Sequence, residues 1–303
     1  MNIDETCYKK IHVVINPTSG SPRPVLRTIN DVFHPLNIDW SVSITKNPGD
    51  AHLFAEKALE TDIDCLAVCG GDGTISEAAT SLIGSDIPLA ILPGGTANIM
   101  SVELGIPNDL SRACKLILNK RQYIKKIDVG QVGDKHFILR VSAGFEAEVV
   151  RITGKKLKSN VGLLAYALSG FGALLKTKST HYNITIDGKK IECYGLSYVI
   201  ANSGNLGIPG VTLSPKINLC DGLLDLIIIR AGDLKTLFYL GSHPHPGDII
   251  AEFFQHWQAK DIQIEAQPAH HVQKDGEMWG KRTVSAKVIP QALSIITPPK
   301  KSR

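Results

Sequence analysis

The chain contains no apolar run long enough to cross a bilayer. Its longest, Val161 to Leu175, is interrupted by Tyr166, Ser169 and three glycines. The opening Met-Asn-Ile-Asp-Glu is polar and acidic, which predicts no secretory signal. Six cysteines, at positions 7, 65, 69, 114, 193 and 220, form no Cys-x-x-Cys pair. That pattern fits free thiols in a reducing cytoplasm better than a disulfide framework or a zinc knot. The ten histidines make no His-x-x-x-His spacing. His243 and His245, between prolines, read as a loop, and His270-His271 precede a turn, so neither pair argues for metal. A Gly-x-x-x-x-Gly-Lys-Ser/Thr loop, a Gly-x-Gly-x-x-Gly fingerprint and a Gly-x-Ser-x-Gly elbow are all missing, which argues against three common enzyme plans. The net charge of +4 permits an anionic ligand or membrane surface but makes no demand for nucleic acid. No internal repeat is visible, and only the polar tail Pro298 to Arg303 is of low complexity.

What is present is apolar content for a large core, 43% of 303 residues, most simply divided into two domains. One stretch organises the first half. Cys65 to Cys69 reads as a short buried strand, Gly70-Gly71-Asp72-Gly73-Thr74 as a tight glycine loop, and Ile75-Ser76-Glu77 as the start of a helix. Thr74 followed by Glu77 predicts a capping box. Strand, glycine loop and helix N-terminus together gather peptide N–H groups and the positive end of a helix dipole, which suits phosphate. Asp72 among the glycines makes most sense if a cation is shared with that phosphate.

Around this stretch strands and helices alternate. Ile11 to Ile15 is a strand ending in the small-residue loop Asn16-Pro17-Thr18-Ser19-Gly20. A helix follows, with Val25, Ile29, Val32 and Phe33 on one face. Ile38 to Ile44 alternates as a strand closed by Thr45, and a helix carries Ala51, Phe54, Ala55 and Ala58. Pro88 to Leu92 is a strand running into Pro93-Gly94-Gly95-Thr96-Ala97-Asn98 and a further helix to Leu104. This order predicts a doubly wound α/β domain with a mainly parallel sheet, its ligand loops at the carboxyl ends of the strands.

Near Asp128-Val129-Gly130 the pattern changes. Strand signals follow over Phe137 to Val141, His181 to Ile186, Ile191 to Ala201, Leu223 to Ile229, Asp261 to Glu265, Thr283 to Ile289 and Leu293 to Ile296, with Asp187-Gly188 as a hairpin turn. The second half is therefore expected to be a mainly antiparallel β domain. The boundaries read as 1–129, with 293–303 able to return to the first domain, and 130–292. Exposed strand edges there make a homodimer plausible. One helical stretch, Val161 to Leu175, is flanked by Lys155, Lys156, Lys158, Lys176 and Lys178. It reads either as a core helix with solvated lysines or as an element resting on anionic lipid.

Two acidic clusters stand out in this half: Asn218-Leu219-Cys220-Asp221-Gly222-Leu223-Leu224-Asp225, and Asp275-Gly276-Glu277. Each alone reads as a turn. Together with the glycine loops they could supply metal ligands and a general base for phosphoryl transfer.

The ordered series Asn16 to Gly20, Gly70 to Thr74, Gly95-Thr96-Ala97-Asn98 with Leu104-Gly105-Ile106-Pro107, Leu213-Ser214-Pro215, Asp221 to Asp225 and Asp275 to Glu277 resembles the catalytic domain of diacylglycerol kinases. It is similar also to sphingosine, ceramide and bacterial lipid kinases, and the likeness spans nearly the whole chain. NAD kinases and phosphofructokinases carry near copies of the Gly70 to Thr74 motif, and their first domain is the fold implied here. The resemblance implies ATP and Mg2+ between two domains, and transfer of the γ-phosphate to a lipid hydroxyl at a membrane surface. It places Asn16, Pro17, Thr18, Ser19, Gly20, Thr45, Gly70, Gly71, Asp72, Gly73, Thr74, Ile75, Ser76, Gly95, Thr96 and Asn98 against the nucleotide. It places Mg2+ on the Asp221 carboxylate and the carbonyls of Asn218 and Leu223. Glu277, or else Asp275, becomes the general base, and Asp72 and Asp128 join an acidic network. One departure is visible: Ile99 stands where many members carry Asp. The segment Asn205 to Gly210 is also altered. A kinase for a soluble acceptor such as NAD, or a binding protein without catalysis, are the competing expectations.

Overall fold

A computed structural model describes residues 8–118, 123–144, 179–206, 212–230 and 254–299. The Val161 to Leu175 stretch with its flanking lysines, the His243–His245 loop and Gly207 to Gly210 lie outside the described residues. The chain divides into two units. One comprises Met1–Ile127, Asn205–Val211 and Gln291–Arg303, and the other Asp128–Gly204 and Thr212–Pro290.

The first unit is α/β. In chain order it holds β1 (Lys10–Ile15), α1 (Val25–Phe33), β2 (Asp39–Ile44), α2 (Asp50–Leu59), β3 (Cys65–Gly70), α3 (Asp72–Ser81), β4 (Leu89–Pro93), α4 (Ile99–Glu103) and α5 (Leu110–Ile117). The strands pair in parallel in the order β2-β1-β3-β4. β3 and β4 are buried along their whole length, as a continuous apolar run between two helical layers must be. α1 packs with α5, and α2 with α3. β1 leads to β2 on one side, and β2 leads back to β3 on the other. The strand order therefore reverses between β1 and β3, where an open parallel sheet forms its ligand crevice.

The second unit is antiparallel. β5 (Ile124–Val132) runs into it and pairs with β6 (Lys135–Phe137). Then come β7 (Arg140–Gly144), β8 (Thr180–Ile186), β9 (Lys189–Gly195), β10 (Ser197–Ala201), β11 (Leu224–Ile229), β12 (Phe254–Ala259), β13 (Asp261–Gln267), β14 (His271–Lys274), β15 (Glu277–Lys281) and β16 (Val284–Ile296). One sheet runs β12-β11-β10-β7-β14-β15. The other pairs β9 with β8, β8 with β13, and β13 with the start of β16. Val141, Tyr198, Ile200 and Leu226 from the first sheet meet Tyr182, Ile184, Ile262 and Val284 from the second in a shared core. The end of β16 belongs to the first unit, where Ile295 pairs with Leu89.

Several boundaries differ from the sequence pattern. Phe137 to Val141 is not one strand. The N–H groups of Ile138, Leu139 and Arg140 all donate to the Asp275 carboxylate, so no ladder claims them there. Ile191 to Ala201 splits at Leu196, whose N–H donates to the Ile229 carbonyl, and the chain changes sheets. Only glycine fits at 195: a Cβ there would lie 2.6 Å from the Ile228 side chain. The two expected terminal strands are one, bent at Gln291 (φ 50°). β5, β12, β14 and β15 had no expected counterpart. Asp187-Gly188 forms its turn with φ of 46° and 82°, joining β8 to β9.

Candidate active site

The first unit brings three loops together at the carboxyl ends of β1, β3 and β4. Their backbones touch because glycines face each other. A Cβ on Gly94 would sit 2.9 Å from the Cα of Gly70, and one on Gly95 would sit 2.6 Å from the Cα of Gly71. Gly20, with φ of +66°, abuts the Gly94 carbonyl oxygen. Hydrogen bonds lock the contact: Gly94 N–H donates to the Gly70 carbonyl at 2.8 Å, and Gly71 N–H to Ser19 Oγ at 3.2 Å. Asn16 ties the first loop to the helix through Nδ2 to Thr74 Oγ1 at 2.8 Å, while its Oδ1 accepts from Thr18.

The capping box expected at Thr74 and Glu77 does not form. α3 starts three residues earlier than expected, at Asp72, with Gly71 as its N-cap. The Thr74 hydroxyl is taken by Asn16, and the Glu77 carboxylate accepts from Gly49 N–H at 3.0 Å. Glycine at the N-cap carries no side chain, so none caps the helix. The dipole end of α3 opens on the loops. Asp72 sits in that first turn, half-buried, with Oδ1 accepting from Met100 N–H at 3.2 Å.

The other expected nucleotide residues divide by placement. Pro17, Thr18 and Thr96 are exposed at the loop tips, and Gly73 is exposed in the first turn of α3. Thr45 and Ser76 are buried beneath them. Thr45 N–H donates to the Ile15 carbonyl, which fixes it beside the first loop. Ile75, 1% exposed, turns into the core and its N–H stays in the helix ladder. Asn98, at φ 48°, uses its amide within the third loop. It accepts from Gly95 N–H and donates to the Gly95 carbonyl and Asn108. Ile99, where an acid was expected, opens α4.

A cavity of about 380 Å³ adjoins the first loop, lined by Asn16, Ser19, Arg23, Val25, Leu26 and Ile44 among others. Its volume suits a small ligand, and its walls are mainly apolar with Arg23 among them. No motif in the sequence marks Arg23, Leu26 and Ile44 as lining a site. The one hint was Pro22-Arg23-Pro24 directly after a small-residue loop. Cys69, also in the wall, is pushed up to about 11 by burial, against the pull of the Arg23 charge.

The second unit organises its acids in turns. Asn218 Oδ1 accepts from Cys220 N–H at 3.1 Å and Asp221 Oδ1 from Leu223 N–H at 3.0 Å, two successive side-chain turns. Gly222, at φ +74°, gives its N–H to Asp128 Oδ2 at 2.7 Å. Asn202 Nδ2 holds the Asp128 and Ile138 carbonyls. The Asp221 carboxyl is raised above its ordinary value by burial and by the charges of Asp225 and Asp128. Among the described residues no three His, Cys, Asp or Glu side chains group as metal ligands. The implied set is different, one carboxylate and two carbonyls. These are hard oxygen donors in a loop with excess negative charge, and the loop fits a hard divalent cation.

Asp275 and Gly276 form the turn joining β14 to β15, at φ of 46° and 83°. The Asp275 carboxylate accepts three peptide N–H bonds of 2.8 to 3.0 Å. Glu277 is exposed at the head of β15. Of the two acids proposed as base, the structure ties down Asp275 and leaves Glu277 open to solvent.

Comparison with known proteins places the chain. The diacylglycerol kinase catalytic domain matches residues 10–132, and the YegS C-terminal NAD kinase beta sandwich-like domain matches residues 139–297. The chain belongs to the lipid kinase family that these two domains define. It is 32% identical to the "Probable lipid kinase YegS-like" of Klebsiella pneumoniae, over 92% of this chain and 93% of that one. It is 30% identical to a "Diacylglycerol kinase" of Staphylococcus epidermidis, over 96% and 92%. A solved structure named "putative diacylglycerol kinase" from Bacillus anthracis superposes with a TM-score of 0.84 at 27% identity, covering 97% and 99%. No helix among the described residues is long and apolar enough to cross a membrane.

Proposed function

We propose that this protein transfers the γ-phosphate of ATP to the hydroxyl of a lipid alcohol, diacylglycerol or a related lipid, reached by peripheral contact with a membrane surface. The observation that carries the reading is the uncapped N-terminus of α3 enclosed by three glycine loops. Phosphate oxygens fit there because the N-cap Gly71 puts no side chain over the positive end of the helix dipole. The cavity lined by Leu26, Ile44 and Arg23 takes the base or ribose. Asp221 and the Asn218 and Leu223 carbonyls would hold Mg2+, which would supply charge neutralisation for phosphoryl transfer. Glu277 accepts the proton of the lipid hydroxyl. The lipid oxygen forms its bond to the γ-phosphorus as the bond from phosphorus to the β–γ bridging oxygen breaks, and ADP leaves with that electron pair. The loose transition state asks for orientation more than for a strong base, so a carboxylate suffices. Asp275, held by three peptide groups, keeps the hairpin that presents Glu277.

The test is phosphorylation of a lipid panel in mixed micelles with ATP and Mg2+. A labelled lipid is expected. Labelled NAD with no labelled lipid would move the assignment to a soluble acceptor. Nucleotide binding without transfer to any acceptor would point to the loss of the acid at Ile99.

A further inference from the structure

Asp225 in β11 is 0% exposed, yet its carboxylate is only half satisfied. Oδ1 lies 2.6 Å from His256 Nε2, while Oδ2 has no hydrogen-bond partner among the described residues. The other ring nitrogen, Nδ1, lies 3.4 Å from Ser214 Oγ, which also accepts from Lys216 N–H. Strand register explains the grouping. Asp225 pairs with Gln258 and Ile227 with His256, so all four side chains share one face of the sheet. Leu213 and Ile217 cover that face, packing on Val199, Ala201 and Ile227. His256 thus stitches the covering segment to the strand that carries Asp225. The same segment continues into the Asn218–Leu223 loop, and Gln258 Nε2 reaches Asp221 Oδ2 at 3.4 Å.

A buried carboxylate oxygen without a partner is costly, and apolar residues would pair β11 with β12 as well as an ion pair does. His256 satisfies Oδ1 alone, so the buried Oδ2 still asks for a donor or a cation. We propose that Asp225, oriented by His256, is a second carboxylate of the cation site in the Asn218–Leu223 loop, and that its open oxygen serves a divalent cation there. This rests on the reading that the loop holds the ion. His256 is a positioning residue in this scheme, and Ser214 fixes its ring.

The test is direct Mn2+ binding to the full chain without nucleotide, followed by the free-ion electron paramagnetic resonance signal. Asp225→Asn is expected to weaken Mn2+ binding by about tenfold or more, as loss of a supporting group around a metal does. His256→Ala should weaken it too, and His256→Gln, which keeps a donor for Oδ1, should recover most of the loss. Wild-type Mn2+ affinity in a folded Asp225→Asn chain would overturn the proposal, provided Asp221→Asn has lost binding. If Asp225→Asn does not fold, wild-type affinity in His256→Ala overturns it instead. Unchanged binding in Asp221→Asn would instead remove the loop as the cation site, and the inference with it.

Discussion

Replacing Gly95 by Ala tests the glycine contact that shapes the phosphate site. The added Cβ would lie 2.6 Å from the Cα of Gly71 and 3.1 Å from Asn98 Oδ1. Carbon atoms rest about 3.5–4.0 Å apart, so the two loops must separate by roughly 1 Å. Both atoms are fixed: one is backbone, and the other holds the Gly95 N–H at 2.8 Å. Overpacking of this kind costs about 1–3 kcal/mol. In a chain of this size each kcal/mol lowers the melting temperature by roughly 2–4 °C. A drop of several degrees in the nucleotide-free protein is expected, with nucleotide affinity falling about tenfold, since a separated loop misplaces its N–H groups. Gly73→Ala is the matched control. Nothing lies within 4 Å of its Cβ and it sits within α3, so the apo-protein should gain about 0.5–1 kcal/mol. Differential scanning fluorimetry and nucleotide titration read both. Wild-type melting and affinity in Gly95→Ala would refute the claim that these loops touch backbone to backbone.

Asp275→Asn should destabilise the second unit by about 2–3 kcal/mol, because an amide offers one acceptor oxygen and no charge to three peptide N–H groups. Urea unfolding checks it, and Glu277→Gln should leave the same midpoint unmoved. The Asp221 carboxyl is raised in the folded state, so its ionisation opposes folding, and the penalty grows as pH rises above the ordinary value of 3.8. Metal-free Asp221→Asn should therefore melt above wild type at pH 7. The two should converge below that value, and added Mg2+ should favour wild type at pH 7. Burial pushes Cys69 to about 11 and Cys114 to about 12, and drives Cys65 higher still. Among the five described cysteines, a thiol reagent at pH 8 should leave these three unmodified in the native protein and react first at half-buried Cys220 and Cys193, as mass spectrometry of the digest would show.

Much of the fold was legible because parallel sheets write themselves as short apolar runs separated by small-residue loops. The strands Lys10–Ile15, Cys65–Gly70 and Leu89–Pro93 follow such runs closely. The turn at Asp187-Gly188 was legible for the same local reason. What escaped was decided by distant partners. Ile138 and Leu139 leave the ladder because a carboxylate at position 275 claims their N–H groups. The Thr74–Glu77 capping pattern matched the motif, but Asn16 and Gly49 took its two side chains. Facing glycines explain why Gly20, Gly70 and Gly94 recur, yet nothing local says which glycine meets which. The charged network of Asp225, His256 and Ser214 depends on strand register, which sequence spacing does not encode.

Single-turnover transfer from γ-labelled ATP into the organic phase compares wild type and Glu277→Gln most directly. Wild type with Mg2+ should label a lipid, and Glu277→Gln should do so at least about a hundredfold more slowly while binding nucleotide normally. Equal rates for the two proteins would contradict the assignment of Glu277 as the base, and an organic phase without label from wild type, across the lipid panel, would contradict the lipid kinase reading itself.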